Sequence, residues 1–447
     1  MKLRFSGFLS LSLLLSSLGW ARAQDLSGHW LGTAETHAGK ARVVLNFFRE
    51  EGEEAASIAI PEFFGLGKTA RFDSVIITPP SLFLSWRNRF WIRARMVNDT
   101  TITGTYNSTQ PDVTAKIHLR RVQKIPDLKR PQTPEPPFPY KNHELSYYDT
   151  ATRESYQGVL TVPAADPASP EKNFPAILLL PGSGKHDKNY SEGAHELFTV
   201  MADYLTRNGY AVFRKDSRGL RNPALNPENL KLPDLVQEAE AALRFVKQQP
   251  QIDSNQIGLI GHSEGGLVAP QIALKDSSVK FLILLATPAV AWKKILYYQI
   301  LSQQQEKWKD KPVPEIFKDT NIVFKTLNPA TLSPRMSFLL NYDPALTLSK
   351  LRIPVLALTG EKDLQINATE NIDAMTRALQ KTGNKNSSAL VLPGINHSLQ
   401  KCVTCSYSEN IFLEETIAPE ILKMMTDWFN KLKGDANQTE FPPTNEK

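Results

Sequence analysis

The stretch Gly261-His262-Ser263-Glu264-Gly265-Gly266 follows the strand-like run Ile257–Ile260 and precedes the helix-compatible run Leu267–Leu274. G-x-S-x-G at a strand-to-helix turn exposes a serine hydroxyl at the top of a sharp bend. Side chains at 261 and 265 would collide in so tight a turn, which gives both glycines a steric reason. The helix that follows aims its N-terminal dipole at negative charge developing near Ser263. A serine hydroxyl is a weak nucleophile until a neighbouring base takes its proton. In this setting the partners follow in the order serine, acid, histidine. His397 is the single histidine after Ser263; His29, His37, His118, His143, His186, His195 and His262 all precede the serine. It lies in the loop Gly394-Ile-Asn-His397, just past an apolar strand ending at Leu392.

For the acid, Asp363 follows the apolar run Val355–Leu358 through Thr359-Gly360-Glu361-Lys362, again at a strand's carboxyl end. Asp276, Asp310, Asp319, Asp343 and Asp373 fall in predicted helices or an insertion, away from strand ends. The competing reading of Asp363 is a turn or N-cap residue, and Glu361 is the reserve candidate for the acid. Acyl transfer also needs donors for a tetrahedral oxyanion. The backbone N–H of Glu264, next to the nucleophile, is one. Pro181-Gly182-Ser183-Gly184 supplies the second from an earlier strand end, with Ser183 the expected donor and Gly182 the fallback. Cys402 and Cys405 stand in a C-x-x-C spacing and are the only cysteines. With no spare neighbouring histidine they do not make a zinc site, and in an oxidising compartment they predict a local disulfide.

The elements that must position these groups occupy the second part of a 447-residue chain. Lys2 and Arg4, a short apolar run from Phe8 to Leu18 and Ala21-Arg22-Ala23 predict a signal peptide over 1–23. The run is too short and serine-rich to span a bilayer. A secreted or periplasmic location is therefore expected, with no membrane span. Residues 24–125 read as a small antiparallel β domain, a barrel or sandwich, with runs such as 41–48, 81–86, 90–96 and 114–120. A proline-rich linker spans 126–140. From 141 to 433 short apolar runs alternate with helical stretches at about 192–207 and 235–247. That pattern predicts an α/β fold with a mostly parallel, helix-covered sheet. An insertion at about 288–345, with Trp292, Ile295, Leu296, Phe317, Phe324, Phe338 and Leu339, reads as an apolar lid or as its core. The tail 434–447 is polar and predicted disordered. A net charge of +6, with no basic run interleaved with aromatics, argues against a nucleic-acid partner.

The motifs Leu180-Pro-Gly-Ser-Gly184, Asp216-Ser-Arg-Gly219, Gly261-His-Ser-Glu-Gly-Gly266, Thr359-Gly-Glu-Lys-Asp363, Asn396-His-Ser-Leu-Gln400 and Glu414-Glu-Thr-Ile-Ala-Pro419 resemble those of the α/β-hydrolase superfamily. The resemblance is greatest to bacterial secreted esterases carrying a β-rich N-terminal domain, and it covers most of the mature chain. Leu220-Arg-Asn222 departs from the Gly and Ser that often continue the Asp-x-Arg-Gly stretch. The resemblance implies a serine carboxylesterase acting on small-molecule, short-chain acyl esters with no cofactor or metal. Competing expectations are a serine peptidase of the prolyl-oligopeptidase kind and an acyl thioesterase. The N-terminal domain could instead be a glycan- or lipid-binding module using Trp30, Trp86 and Trp91, though indoles there are expected mainly as core. Asn396-His397-Ser398 is a glycosylation sequon on top of the expected base, which favours a bacterial setting.

Overall fold

The computed structural model describes residues 25–36, 38–109, 112–164, 173–307 and 332–439. The chain divides into two units, Met1–Asp127 and Leu128–Lys447. The signal peptide expected over 1–23 lies outside the described residues. No helix among them is long and apolar enough to cross a membrane.

In the N-terminal unit a polar/apolar alternation of period two folds into one nine-stranded antiparallel sheet. Asp112–Val122 lies at its centre beside Gly28–Glu35, which pairs with Lys40–Glu50 on its other side. The edges are Ala70–Arg71 and Ser74–Thr78. The two-residue step between them is tied to both ends of the sheet. Phe72 N–H donates to the Ala56 carbonyl and Asp73 N–H to the Ser85 carbonyl. The sheet therefore curls on itself around Trp30, Leu45, Phe47, Leu84, Ile92, Ile102 and Leu119, all fully buried. Burial of each such side chain stabilises by about 1.5–3 kcal/mol. A sandwich is excluded, because one sheet supplies both walls of this core.

The second unit carries an eight-stranded sheet: β1 (Tyr140–Asp149), β2 (Glu154–Pro163), β3 (Phe174–Leu180), β4 (Ala211–Lys215), β5 (Ile252–His262), β6 (Val279–Leu285), β7 (Val355–Gly360) and β8 (Ser388–Leu392). Its order is β1-β2-β4-β3-β5-β6-β7-β8. β2 runs antiparallel to its neighbours, and β4 through β8 are parallel. The helices are α1 (Leu197–Arg207), α2 (Leu232–Lys247), α3 (Gly265–Ala273), α4 (Trp292–Lys307), α5 (Pro334–Leu339), α6 (Pro344–Leu348), α7 (Ala368–Gln380) and α8 (Pro419–Thr439). Successive residues of a strand point to opposite faces, so Leu178 and Leu180 meet α2, α3 and α7 while Ile177 and Leu179 meet α1 and α8. Continuous apolar runs are what a strand covered on both faces requires.

Three expectations change. The helix expected from Glu192 begins only at Leu197, because Ser191–Glu192 and His195–Glu196 form a two-strand ribbon turning at Gly193, whose φ is +58°. The last helix continues to Thr439, so the tail expected to be disordered from 434 starts helical; no proline interrupts it before Pro442. The linker is docked on the second unit. Buried Arg130 donates to Glu414 and to the Ile411 carbonyl, and Gln132 donates to the Ile417 carbonyl at 2.8 Å. In the insertion expected at about 288–345, Trp292, Ile295 and Leu339 are buried, as its core reading expects. Phe317 and Phe324 lie outside the described residues.

Candidate active site

Ser263 leaves the end of β5 with φ +52°, a left-handed conformation rare for a residue with a side chain. Its N–H donates to the Leu285 carbonyl at 2.8 Å, which fixes the bend against β6. The flanking glycines are required by contact. A Cβ at Gly261 would lie 2.4 Å from the Gly265 carbonyl oxygen, and one at Gly265 would lie 2.2 Å from that of Leu180. The helix start is thereby pressed against β5 and β3 together.

Asp363 and His397 come from the loops after β7 and β8, at the same edge of the sheet. His397 Nδ1 and Asp363 Oδ2 are 2.7 Å apart, and both residues are buried. The other carboxylate oxygen of Asp363 accepts from the N–H groups of Gln365 and Ile366, at 2.7 and 2.9 Å. The turn role and the partner role therefore belong to one carboxylate. Glu361 sits elsewhere: its exposed carboxylate accepts from Gly394 N–H, which holds it below the usual range. It braces the histidine loop and does not face His397. Asn396 is 2 % exposed, and its side-chain amide donates to Gln400 and Asn410, so the sequon is closed to modification.

His262, a residue of the elbow itself, links the two loops. Its Nε2 lies 2.9 Å from the His397 carbonyl and must donate, so its Nδ1 accepts from the Tyr190 hydroxyl at 2.9 Å. Tyr190 in turn accepts from Gly182 N–H at 3.2 Å. Burial pushes the His262 pKa down to about 3, with His397 and His186 acting in the same direction. A neutral His262 suits a chain of bonds running one way. The structure joins Asp363 to His397 directly. It joins Ser263 to His397 only through His262, and no direct bond from Ser263 Oγ exists among the described residues.

Because Gly182 N–H is taken by Tyr190, the fallback oxyanion donor is engaged. Among the described residues, the backbone N–H groups of Ser183 and Glu264, on the loop and the elbow respectively, have no protein partner. Their side chains touch: Ser183 Oγ donates to Glu264 Oε2 at 3.3 Å, and Arg335 of α5 donates to both. Arg335 was invisible to motif reading, since it lies in the insertion with no pattern around it. Cys402 and Cys405 are disulfide-bonded beside the His397 loop. Trp30 is core, with its indole N–H donating to the Leu26 carbonyl, while Trp86 and Trp91 are half-buried. No group of three His, Cys, Asp or Glu is placed to hold a metal ion among the described residues.

Residues 239–415 match the family described as BAAT / acyl-CoA thioester hydrolase C terminal. The chain is 24 % identical over 262 residues to the esterase EstD of Thermotoga maritima. That alignment covers 56 % of this chain and 62 % of the relative, less than two thirds of its length. Solved structures similar to the chain include an esterase, Pf2001, of Pyrococcus furiosus (13 % identical, TM-score 0.42, 69 % of this chain and 99 % of that one). A dienelactone hydrolase of Anabaena variabilis (15 %, TM-score 0.40, 66 % and 98 %) and dipeptidyl peptidase 4 of Porphyromonas gingivalis (14 %, TM-score 0.42, 80 % and 45 %) are also similar. The strand order, the antiparallel β2 and the positive-φ serine between β5 and α3 are those of an α/β-hydrolase fold, and the sequence matches are to a thioester hydrolase domain and an esterase.

Proposed function

We propose that the chain is a serine carboxylesterase acting on small-molecule esters of short acyl chains, with Ser263, His397 and Asp363 as its triad. The observation that carries the reading is the buried 2.7 Å pair of Asp363 and His397, at the sheet edge where Ser263 is held with φ +52°. His397 Nε2 takes the Ser263 proton as Oγ attacks the ester carbonyl. Asp363 fixes the tautomer with Nδ1 protonated and stabilises the imidazolium. The N–H groups of Ser183 and Glu264 receive the oxyanion. The proton passes to the departing alcohol, leaving an acyl-enzyme that water, deprotonated by His397, hydrolyses to the free acid. No step requires a metal or organic cofactor.

A cavity of about 50 Å³ beside the elbow is lined by Leu180, Gly182, Leu230, Leu235 and Val268 together with the charged Lys215, Glu238, Glu264 and Arg335. A second reading, an acyl thioesterase, is favoured by the match over residues 239–415. We read residues 1–23 as an export signal, which would separate the enzyme from cytoplasmic coenzyme A. A prolyl-oligopeptidase-like peptidase is disfavoured, because the N-terminal unit is one sheet and not a ring of blades. A glycan- or lipid-contact role for that unit is a separate reading, tested by pull-down of the full chain on polysaccharides and vesicles.

Rates on p-nitrophenyl acetate, butyrate, octanoate and decanoate, set against acetyl- and palmitoyl-CoA and an aminoacyl anilide, test the reading. It expects a maximum at the shortest esters. A preference for the thioesters or the anilide would overturn it.

A further inference from the structure

We infer that Arg335 is a positioning residue of the oxyanion hole, and that it neutralises a carboxylate which would otherwise oppose the reaction. The inference rests on the esterase reading above. Glu264 has two parts with opposite effects: its backbone N–H is placed to stabilise an oxyanion, and its carboxylate would repel one. The side chain is 2 % exposed, so water cannot screen that repulsion. Arg335, 5 % exposed, forms an ion pair with Glu264 Oε2, and its Nη2 also reaches Ser183 Oγ at 2.9 Å. Ser183 Oγ closes the triangle by donating to the same carboxylate oxygen. One guanidinium thus binds the side chains of both residues that offer oxyanion donors, one on the loop after β3 and one at the start of α3.

The anchor is itself secured. α5 begins at Ser333, whose hydroxyl accepts from Met336 N–H and donates to Glu228 at 2.8 Å. Burial pushes the Glu264 carboxyl above its usual range while Arg335 opposes that push. Breaking a buried pair by removing one partner leaves an uncompensated charge. Here that charge would sit one residue from the nucleophile. The geometry makes two demands on Arg335, a fixed separation of the two donors and a neutral surrounding for the developing charge.

The test compares wild type, Arg335→Met, Arg335→Lys and the double variant Glu264→Gln/Arg335→Met in steady-state ester hydrolysis and in binding of an alkyl boronic acid, a tetrahedral adduct former. Arg335→Met is expected to lower kcat about 10- to 100-fold with KM within about threefold, and to weaken boronate binding by a similar factor. Arg335→Lys should recover part of the loss. The double variant should recover at least tenfold over Arg335→Met, because no charge remains to repel the oxyanion. Wild-type kcat in Arg335→Met, parallel changes in kcat and KM, or a double variant no faster than the single one would each overturn the inference. Should Arg335→Met fail to fold, the double variant and Arg335→Lys decide alone: both must keep kcat within tenfold of wild type. Wild type that hydrolyses esters while these variants behave otherwise refutes the role of Arg335 only. Wild type without esterase activity refutes the underlying reading.

Discussion

The imidazole of His262 donates to the backbone carbonyl of His397 at 2.9 Å, so the residue before the proposed nucleophile holds the loop of the proposed base. The same ring accepts from Tyr190, which accepts from Gly182. A single run of hydrogen bonds thereby ties the oxyanion loop, the elbow and the histidine loop together.

His262→Phe keeps an aromatic ring, larger than imidazole, but removes both bonds and leaves the His397 carbonyl unpaired. An unsatisfied buried acceptor costs about 1–3 kcal/mol. We expect kcat to fall roughly tenfold or more and the melting temperature to drop, both measurable on the purified variant.

The depressed pKa of His262 also makes a pH prediction. Unfolded, this histidine titrates near its ordinary 6.5; folded, it titrates at about 3. Between those values the unfolded chain binds the extra proton. The stability this group contributes is therefore complete above about pH 6.5 and is lost as pH falls toward 3, by up to about 1.4 kcal/mol per unit. Denaturant melts at pH 7.5 and 5 should show a smaller acid loss in His262→Phe than in wild type. Equal losses would remove His262 as the cause.

Asp363→Asn preserves an oxygen to accept from Gln365 and Ile366 but turns a donor toward His397 Nδ1. The imidazole would then carry its proton on Nε2, the atom that must accept from Ser263. A loss of about 10³- to 10⁴-fold in kcat with an unchanged melting temperature is expected from kinetics and calorimetry.

Gly265→Ala and Gly383→Ala separate two meanings of glycine. At Gly265 a Cβ would meet the backbone of Leu180 and Pro181, with carbonyl oxygens at 2.2 and 2.6 Å. At Gly383 φ is +72° with nothing within 4 Å. Gly265→Ala should not yield soluble protein, whereas Gly383→Ala should lose only about 1–2 kcal/mol in denaturant melts.

The Cys402–Cys405 bond closes a very short loop, for which chain entropy gives about 2 kcal/mol. The Glu409 carboxylate accepts from the N–H groups of Val403, Thr404 and Cys405 and holds the same turn independently. Cys402→Ser/Cys405→Ser should lower the melting temperature by a few degrees while kcat stays within about threefold.

The placement of Ser263, Asp363 and His397 at the carboxyl edge of the sheet was legible in the sequence for a local reason. Each follows an apolar strand directly, so its position at the carboxyl edge of the sheet is encoded within a few residues. Cys402 and Cys405 were legible by spacing alone. Arg335 was not, because its partners Glu264 and Ser183 are 71 and 152 residues away and nothing near 335 marks the pairing. Tyr190 was hidden for a similar reason: its partner His262 is 72 residues away and nothing near 190 marks the pairing. In the N-terminal unit the alternation announced strands. The closure of one sheet onto itself depends on two backbone bonds at Phe72 and Asp73, which side-chain types do not reveal.

The central claim is that Ser263 is a nucleophile activated by His397. Fluorophosphonate labelling with mapping of the modified peptide tests it on wild type, Ser263→Ala and His397→Ala. The account predicts an adduct on Ser263 in wild type, none in Ser263→Ala, and labelling slowed at least about 10³-fold in His397→Ala. An adduct that persists in Ser263→Ala, or His397→Ala that labels at the wild-type rate, would contradict it.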